Sequence, residues 1–162
     1  MKEAYAEALP LSTLAAELGL LFIVNDRCDL ALAVDADGVH LGQDDLPYAD
    51  ARKVLGPDKV IGLSTHNEHQ VREADRLGPD YIGFGPIFKP GSKLYHDPLV
   101  GIAGLRRVRS LTTLPIFAIG GIQAKQTGEV IRAGADGVAV ISAILIASDV
   151  RQAVRDFIAQ IA

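Results

Sequence analysis

The chain has 162 residues, a length for a single domain, with 49% hydrophobic and 22% charged residues, which excludes a disordered chain. Its formal net charge is -4 and no Lys/Arg block interrupts it, so nucleic acid is not expected as its main partner. One cysteine, Cys28, rules out an intrachain disulfide, and no apolar run reaches the length of a membrane span. A single cytoplasmic domain over residues 1–162, with no membrane partner, is the expectation.

In chain order, residues 4–17 read as a helix, with a break expected near Pro10. The first β-rich run is 20–25 (LLFIVN), followed by a short helix over 29–34. The run 38–43 (GVHLGQ) precedes a helix over 48–55, which follows Pro47. The run 60–65 (VIGLST) precedes a helix over 67–77, bounded by Asn67 and Gly78. The run 81–88 (YIGFGPIF) leads into a longer irregular stretch, 89–100, and then a helix over 102–111 with an Arg-rich face. The runs 114–120 (LPIFAIG) and 137–144 (GVAVISAI) flank a helix over 123–133, and a last helix spans 149–161. Each β-rich run is almost continuously apolar, as a parallel strand covered on both faces must be.

Strands alternating with helices through short connections predict an α/β fold with right-handed crossovers. Polar groups sit at the end of every strand: Asn25-Asp26, Gln43-Asp44-Asp45, Ser64-Thr65-His66, the loop beyond Phe88, Gly120-Gly121 and Ser142. A doubly wound sheet would concentrate them at one switch point, whereas a barrel delivers them around one mouth, so the barrel is favoured. A full barrel holds eight units in about 250 residues, and here there are six.

Asp26 and Asp45 end adjacent strands, which in a sheet lie about 5 Å apart. Two carboxylates there suit Mg²⁺, a cation that takes oxygen ligands and shares them with phosphates. The alternative is that each aspartate caps the helix after it. Gly120-Gly121 and Ile141-Ser142 offer backbone N–H groups to an anion, or are only turns. Lys93 in the long loop can close on a diphosphate, or be a solvated surface lysine. Ser64 can bond a substrate or cap a helix. The four histidines show no metal-ligand spacing, and His40 is expected inside, hydrogen-bonded.

Six stretches together carry a resemblance: 22–27 (FIVNDR), 36–45 (ADGVHLGQDD), 61–66 (IGLSTH), 80–88 (DYIGFGPIF), 118–122 (AIGGI) and 133–142 (AGADGVAVIS). In this order they resemble thiamine-phosphate synthase, a TIM-type (β/α) barrel enzyme. That family joins an aminopyrimidine diphosphate to a thiazole phosphate and releases pyrophosphate. The resemblance implies Mg²⁺ held by Asp26 and Asp45, pyrophosphate contacts from Asn25, Ser92 and Lys93, and a pyrimidine-side contact from Ser64. It also implies backbone contacts from Gly121, Ile141 and Ser142 to the thiazole phosphate, with Ser64 and Lys93 closest to the chemistry. The Thr-rich turn usual before the loop lysine is here Lys89-Pro90-Gly91-Ser92, where only Ser92 keeps a hydroxyl. The family's first two units, with a Gln-x-Arg-x-Lys motif, have no counterpart, so the expectation is an incomplete barrel lacking them. A thiazole tautomerase relative and a truncated, non-catalytic remnant are the competing readings. Strand edges left open at both ends would favour self-association, marginal stability and weak activity.

Overall fold

A computed structural model describes residues 1–89 and 98–161. Among these, six strands run parallel in the order β1-β2-β3-β4-β5-β6, each followed by at least one helix. The elements are α1 (Lys2–Glu17), β1 (Ile23–Asn25), α2 (Cys28–Ala33), β2 (Gly38–Leu41), α3 (Tyr48–Leu55), β3 (Val60–Thr65) and α4 (Glu68–Leu77). They continue as β4 (Tyr81–Phe84), α5 (Gly101–Arg109), β5 (Ile116–Ile119), α6 (Ala124–Arg132), β6 (Gly137–Ala139), α7 (Ser142–Leu145) and α8 (Val150–Ile161). Sequential parallel strands with a helix after each are the topology of an α/β TIM-type fold. No described helix is long and apolar enough to cross a membrane. The chain divides into two compact units, Met1–Ser64 and Thr65–Ala162.

In the first unit, β1 pairs with β2 and β2 with β3, placing Asn25 beside His40 and His40 beside Gly62. Val24, Val39, Leu41 and Ile61 fill its core with Ala31, Ala36 and Ala51 from loops and helices. α1 runs unbroken through Pro10, contrary to the expected interruption. Only Ala8 of this helix is buried, and Leu11, Leu14 and Leu18 are exposed. Proline removes one donor, yet the turns either side keep theirs, and the helix start adopts the geometry up to Met1, whose carbonyl takes Tyr5 N–H at 2.9 Å.

In the second unit, β4 pairs with β5 and β5 with β6. Phe84, Ile82, Ile116 and Ala118 pack with Val71, Leu105, Val108, Val130 and Phe157 of the helices. Asn67 caps α4 by accepting Gln70 N–H at 3.0 Å, and Gly78 closes the helix in the left-handed region. Gln123 and Gln126 form a reciprocal capping box at α6.

One device recurs in both units. Ala36-Asp37-Gly38-Val39 and Ala135-Asp136-Gly137-Val138 are the same four residues, each leading into a strand. Asp37 accepts Phe22 N–H at 2.7 Å while its own N–H bonds the Phe22 carbonyl at 3.0 Å. Asp136 does the same to Ile116, at 2.8 Å in each direction. Each aspartate thus ties the entrance of one strand to its neighbour and sets the register that carries the opposite strand ends.

Strand ends differ from the sequence expectation. β1 begins at Ile23 rather than residue 20, β4 stops at Phe84 rather than 88, and β6 ends at Ala139 rather than 144. Apolar runs continue past the ladder because the turns beyond it are also buried: Gly85, Pro86 and Ile87 are buried outside β4. Burial is not continuous on every strand either. Phe117 in β5 is exposed, and Val138 and Ala139 in β6 are half-buried, since β6 ends the strand order and has no further neighbour.

Candidate active site

Parallel strands bring successive C-terminal ends to one edge of a sheet, and in the first unit those ends carry the predicted site residues. Asn25 is the last residue of β1, and Asp26 follows it at φ +65°. A left-handed backbone is costly for an aspartate, about 1–2 kcal/mol, and here it is held. Asp26 N–H donates to the His40 carbonyl at 2.8 Å, and Asn25 Nδ2 donates to Asp26 Oδ1 at 2.6 Å. Asn25 and Asp26 are both exposed.

Asp45 lies in the turn after β2, half-buried, with Oδ2 accepting Gly42 N–H at 2.6 Å. The N-cap of α2 is Arg27 and that of α3 is Pro47, and neither makes a side-chain cap bond. Two carboxylates that follow successive strands offer oxygen donors of the kind a hard divalent cation takes. No group of three or more His, Cys, Asp or Glu among the described residues is arranged to hold a metal alone.

Ser64 is half-buried, the penultimate residue of β3. Its hydroxyl is not a helix cap, since Asn67 caps α4. Ser64 Oγ instead lies 2.9 Å from His40 Nε2, and the Ser64 carbonyl accepts Gln43 Nε2 at 2.6 Å. His40 is thus the hydrogen-bonded interior residue anticipated. Burial pushes its imidazole below the ordinary value, against a smaller opposing pull from the Asp45 charge. The role of Gln43 in gripping Ser64 was not legible from spacing, because it depends on how the turn after β2 folds back over β3. Beside this group, Arg27 bonds Asp29 at 2.7 and 2.8 Å and lowers that carboxyl to about 2. Burial raises the thiol of Cys28.

The anion-binding candidates lie in the second unit. Gly120 and Gly121 follow β5 at φ +98° and +65°. A Cβ on Gly121 would stand 2.6 Å from the Lys89 carbonyl oxygen and 2.8 Å from that of Phe88, so only glycine fits. The partner segment is pinned by Ile87 N–H to Ile119 O and Phe88 N–H to Gly120 O, each 2.9 Å. The glycines precede α6 without opening it: that helix starts at Ala124 behind its Gln123 cap. Ile141 and Ser142 likewise lie beyond β6, as the N-cap and first residue of the one-turn helix α7. His66, just after β3, donates through Nδ1 to the carbonyl of Gly85, just after β4, at 2.8 Å. Ser92 and Lys93 lie outside the described residues.

A family model described as thiamine monophosphate synthase matches residues 1–144. A thiamine-phosphate synthase of Shouchella clausii is 51% identical over 152 residues, covering 94% of this chain and 73% of its own. That of Chloroflexus aurantiacus is 50% identical, covering 92% and 68%. Among solved structures, a thiamine phosphate pyrophosphorylase from Pyrococcus furiosus superposes with a TM-score of 0.90 at 39% identity, over 99% of this chain and 76% of that one.

Proposed function

This chain belongs to the thiamine monophosphate synthase family, and from that premise we propose a transferase that couples an aminopyrimidine diphosphate to a thiazole phosphate. The observation that carries the reading is 51% identity to a thiamine-phosphate synthase over 94% of the chain, on a backbone that superposes along 99% of its length. In the reaction, the bond between the pyrimidine methylene carbon and the diphosphate oxygen breaks, and its electron pair leaves with pyrophosphate. The thiazole ring nitrogen supplies the pair for the new carbon–nitrogen bond.

Asp26 and Asp45 are assigned to Mg²⁺, supported by their all-oxygen chemistry and by their places just after the adjacent strands β1 and β2. Bound there, the ion would offset the negative charge of the departing pyrophosphate. Asn25 is assigned to the same diphosphate, with Ser92 and Lys93 assigned by resemblance alone. Ser64 is assigned to the aminopyrimidine, holding its ring at the strand ends. The backbone of Gly121, Ile141 and Ser142 is assigned to the thiazole phosphate. The bare Gly121 backbone lets an anion approach closely, while a single-turn α7 contributes N–H groups rather than a macrodipole. Positioning both substrates converts an encounter of two molecules into a reaction within one complex.

The six strands are read as the last six units of an eight-unit barrel, which accords with relatives longer than this chain. Exposed apolar residues beside β1 (Leu20, Leu21) and after β6 (Ile141, Leu145, Ile146) support self-association at those strands. A tautomerase is disfavoured, because a reaction that expels no pyrophosphate has no use for a Mg²⁺ site. The deciding experiment supplies both substrates with Mg²⁺ and measures thiamine phosphate and pyrophosphate. Equimolar products, lost in Asp26→Ala with the fold retained, are expected. No product from the wild-type chain, or an undiminished Asp26→Ala rate at limiting Mg²⁺, contradicts the reading.

A further inference from the structure

His40 is given no part in the reaction above, yet it touches two of the residues that are. Its carbonyl holds the Asp26 N–H at 2.8 Å, and its ring Nε2 lies 2.9 Å from Ser64 Oγ. The register explains how one residue of β2 reaches Ser64. Directly opposed residues of parallel strands share a face, so Asn25, His40 and Gly62 point the same way. Ser64 is two residues beyond Gly62 in β3 and lies on that face too. Gly62, opposite His40 on that face, carries no side chain. Gln43 meanwhile grips the Ser64 carbonyl at 2.6 Å, so the serine backbone is held as well as its hydroxyl.

We infer that His40 is a positioning residue: its imidazole, hydrogen-bonded to Ser64 Oγ, fixes the Ser64 hydroxyl toward the aminopyrimidine. This rests on the assignment of Ser64 to that substrate. A serine hydroxyl has one proton and two lone pairs and rotates freely unless a partner sets it. With one hydrogen bond committed to His40, the remaining capacity of the oxygen points in one direction. A ligand group placed there meets a preset partner instead of selecting one rotamer from several. The imidazole touches no reacting atom, and its effect passes through Ser64.

The test uses His40→Gln, His40→Asn, His40→Leu, Ser64→Ala and the His40→Leu/Ser64→Ala double variant, each with a thermal melt. Initial rates are measured with each substrate varied in turn. His40→Leu is expected to lower kcat/KM for the aminopyrimidine diphosphate about tenfold, the worth of one hydrogen bond, and to leave KM for the thiazole phosphate unchanged. His40→Gln, whose amide reaches the position of Nε2, recovers most of the loss. His40→Asn, one carbon shorter, does not. In the Ser64→Ala background the His40→Leu change adds less than about twofold, because its route is already cut. If His40→Leu does not fold, the Gln and Asn variants carry the test, and equal rates for the two overturn the inference. A His40→Leu loss that persists in full on Ser64→Ala, or a wild-type rate in His40→Leu, also overturns it. A wild-type chain that makes no product removes the functional assignment itself, and the inference with it, a result distinct from an active chain indifferent to His40.

Discussion

Replacing Asp45 by asparagine separates two roles of one carboxylate. Oδ2 accepts Gly42 N–H at 2.6 Å in a half-buried turn, and the amide of asparagine can keep that bond while losing the charge. A hydrogen bond to a charged group contributes about 1.5–3 kcal/mol and a neutral one about 0.5–1.5 kcal/mol. Asp45→Asn should therefore cost about 1 kcal/mol of stability, and Asp45→Ala about 2 kcal/mol. At this chain length each kcal/mol lowers Tm by roughly 2–4 °C. Catalysis should suffer more. On the metal assignment, removing one of two anionic ligands from a step that needs several kcal/mol of charge stabilisation should forfeit about 3 kcal/mol, or about a hundredfold in kcat/KM. Calorimetric melting paired with initial rates across a Mg²⁺ titration reads both effects. The expected result is a small melting shift with a large rate loss that excess Mg²⁺ partly restores. Wild-type rates for Asp45→Asn at limiting Mg²⁺, or a rate loss that only tracks the unfolded fraction, would refute the metal assignment and leave Asp45 as a turn residue.

Gly121→Ala places a methyl 2.6 Å from the Lys89 carbonyl oxygen at a positive φ, and should destabilise by at least about 1 kcal/mol while raising KM for the thiazole phosphate. An unchanged melt would show that residues 88–89 give way freely. Leu41→Ala empties a fully buried site in β2 and should cost about 2–5 kcal/mol, read by urea unfolding. Burial first, and then the Asp80 charge, push the phenol of Tyr81 up to about 12, from about 10 in the unfolded chain. The folded state then binds the proton more tightly, so its stabilisation is complete below about pH 10 and drains away as pH rises toward 12. Ultraviolet titration of the folded chain should find one tyrosine ionising near 12, and Tyr81→Phe should remove that transition; a midpoint near 10 would contradict it.

Much of the fold is legible in the chain because parallel strands need covering on both faces. Runs such as 60–65 are nearly continuously apolar, and β3 occupies those residues. Asn67 and Gly78 mark the ends of α4 for a local reason, the capping of orphan backbone groups, and both act as such. Legibility fails where local signals conflict with neighbours. Pro10 signals a break that α1 does not make. The run 81–88 signals a longer strand than β4, because Pro86 and Ile87 are buried by contacts with β5 rather than by the ladder. The single turn of α7 is too short to leave a periodic pattern.

The candidate site divides along the same line. By itself the sequence determined which polar residues end which strands, since chain direction in a parallel sheet puts every such residue at one edge. It therefore placed Asn25, Asp26, Asp45 and Ser64 at strand ends without any knowledge of distance. It left open whether the aspartates cap helices. The tertiary structure named the cap positions, Arg27 before α2 and Pro47 before α3, which residue type does not specify. Only the structure, too, joined His40 to Ser64, 24 residues apart. That contact exists because the β2–β3 register sets His40 against Gly62, and register is a property of two strands meeting, not of either alone.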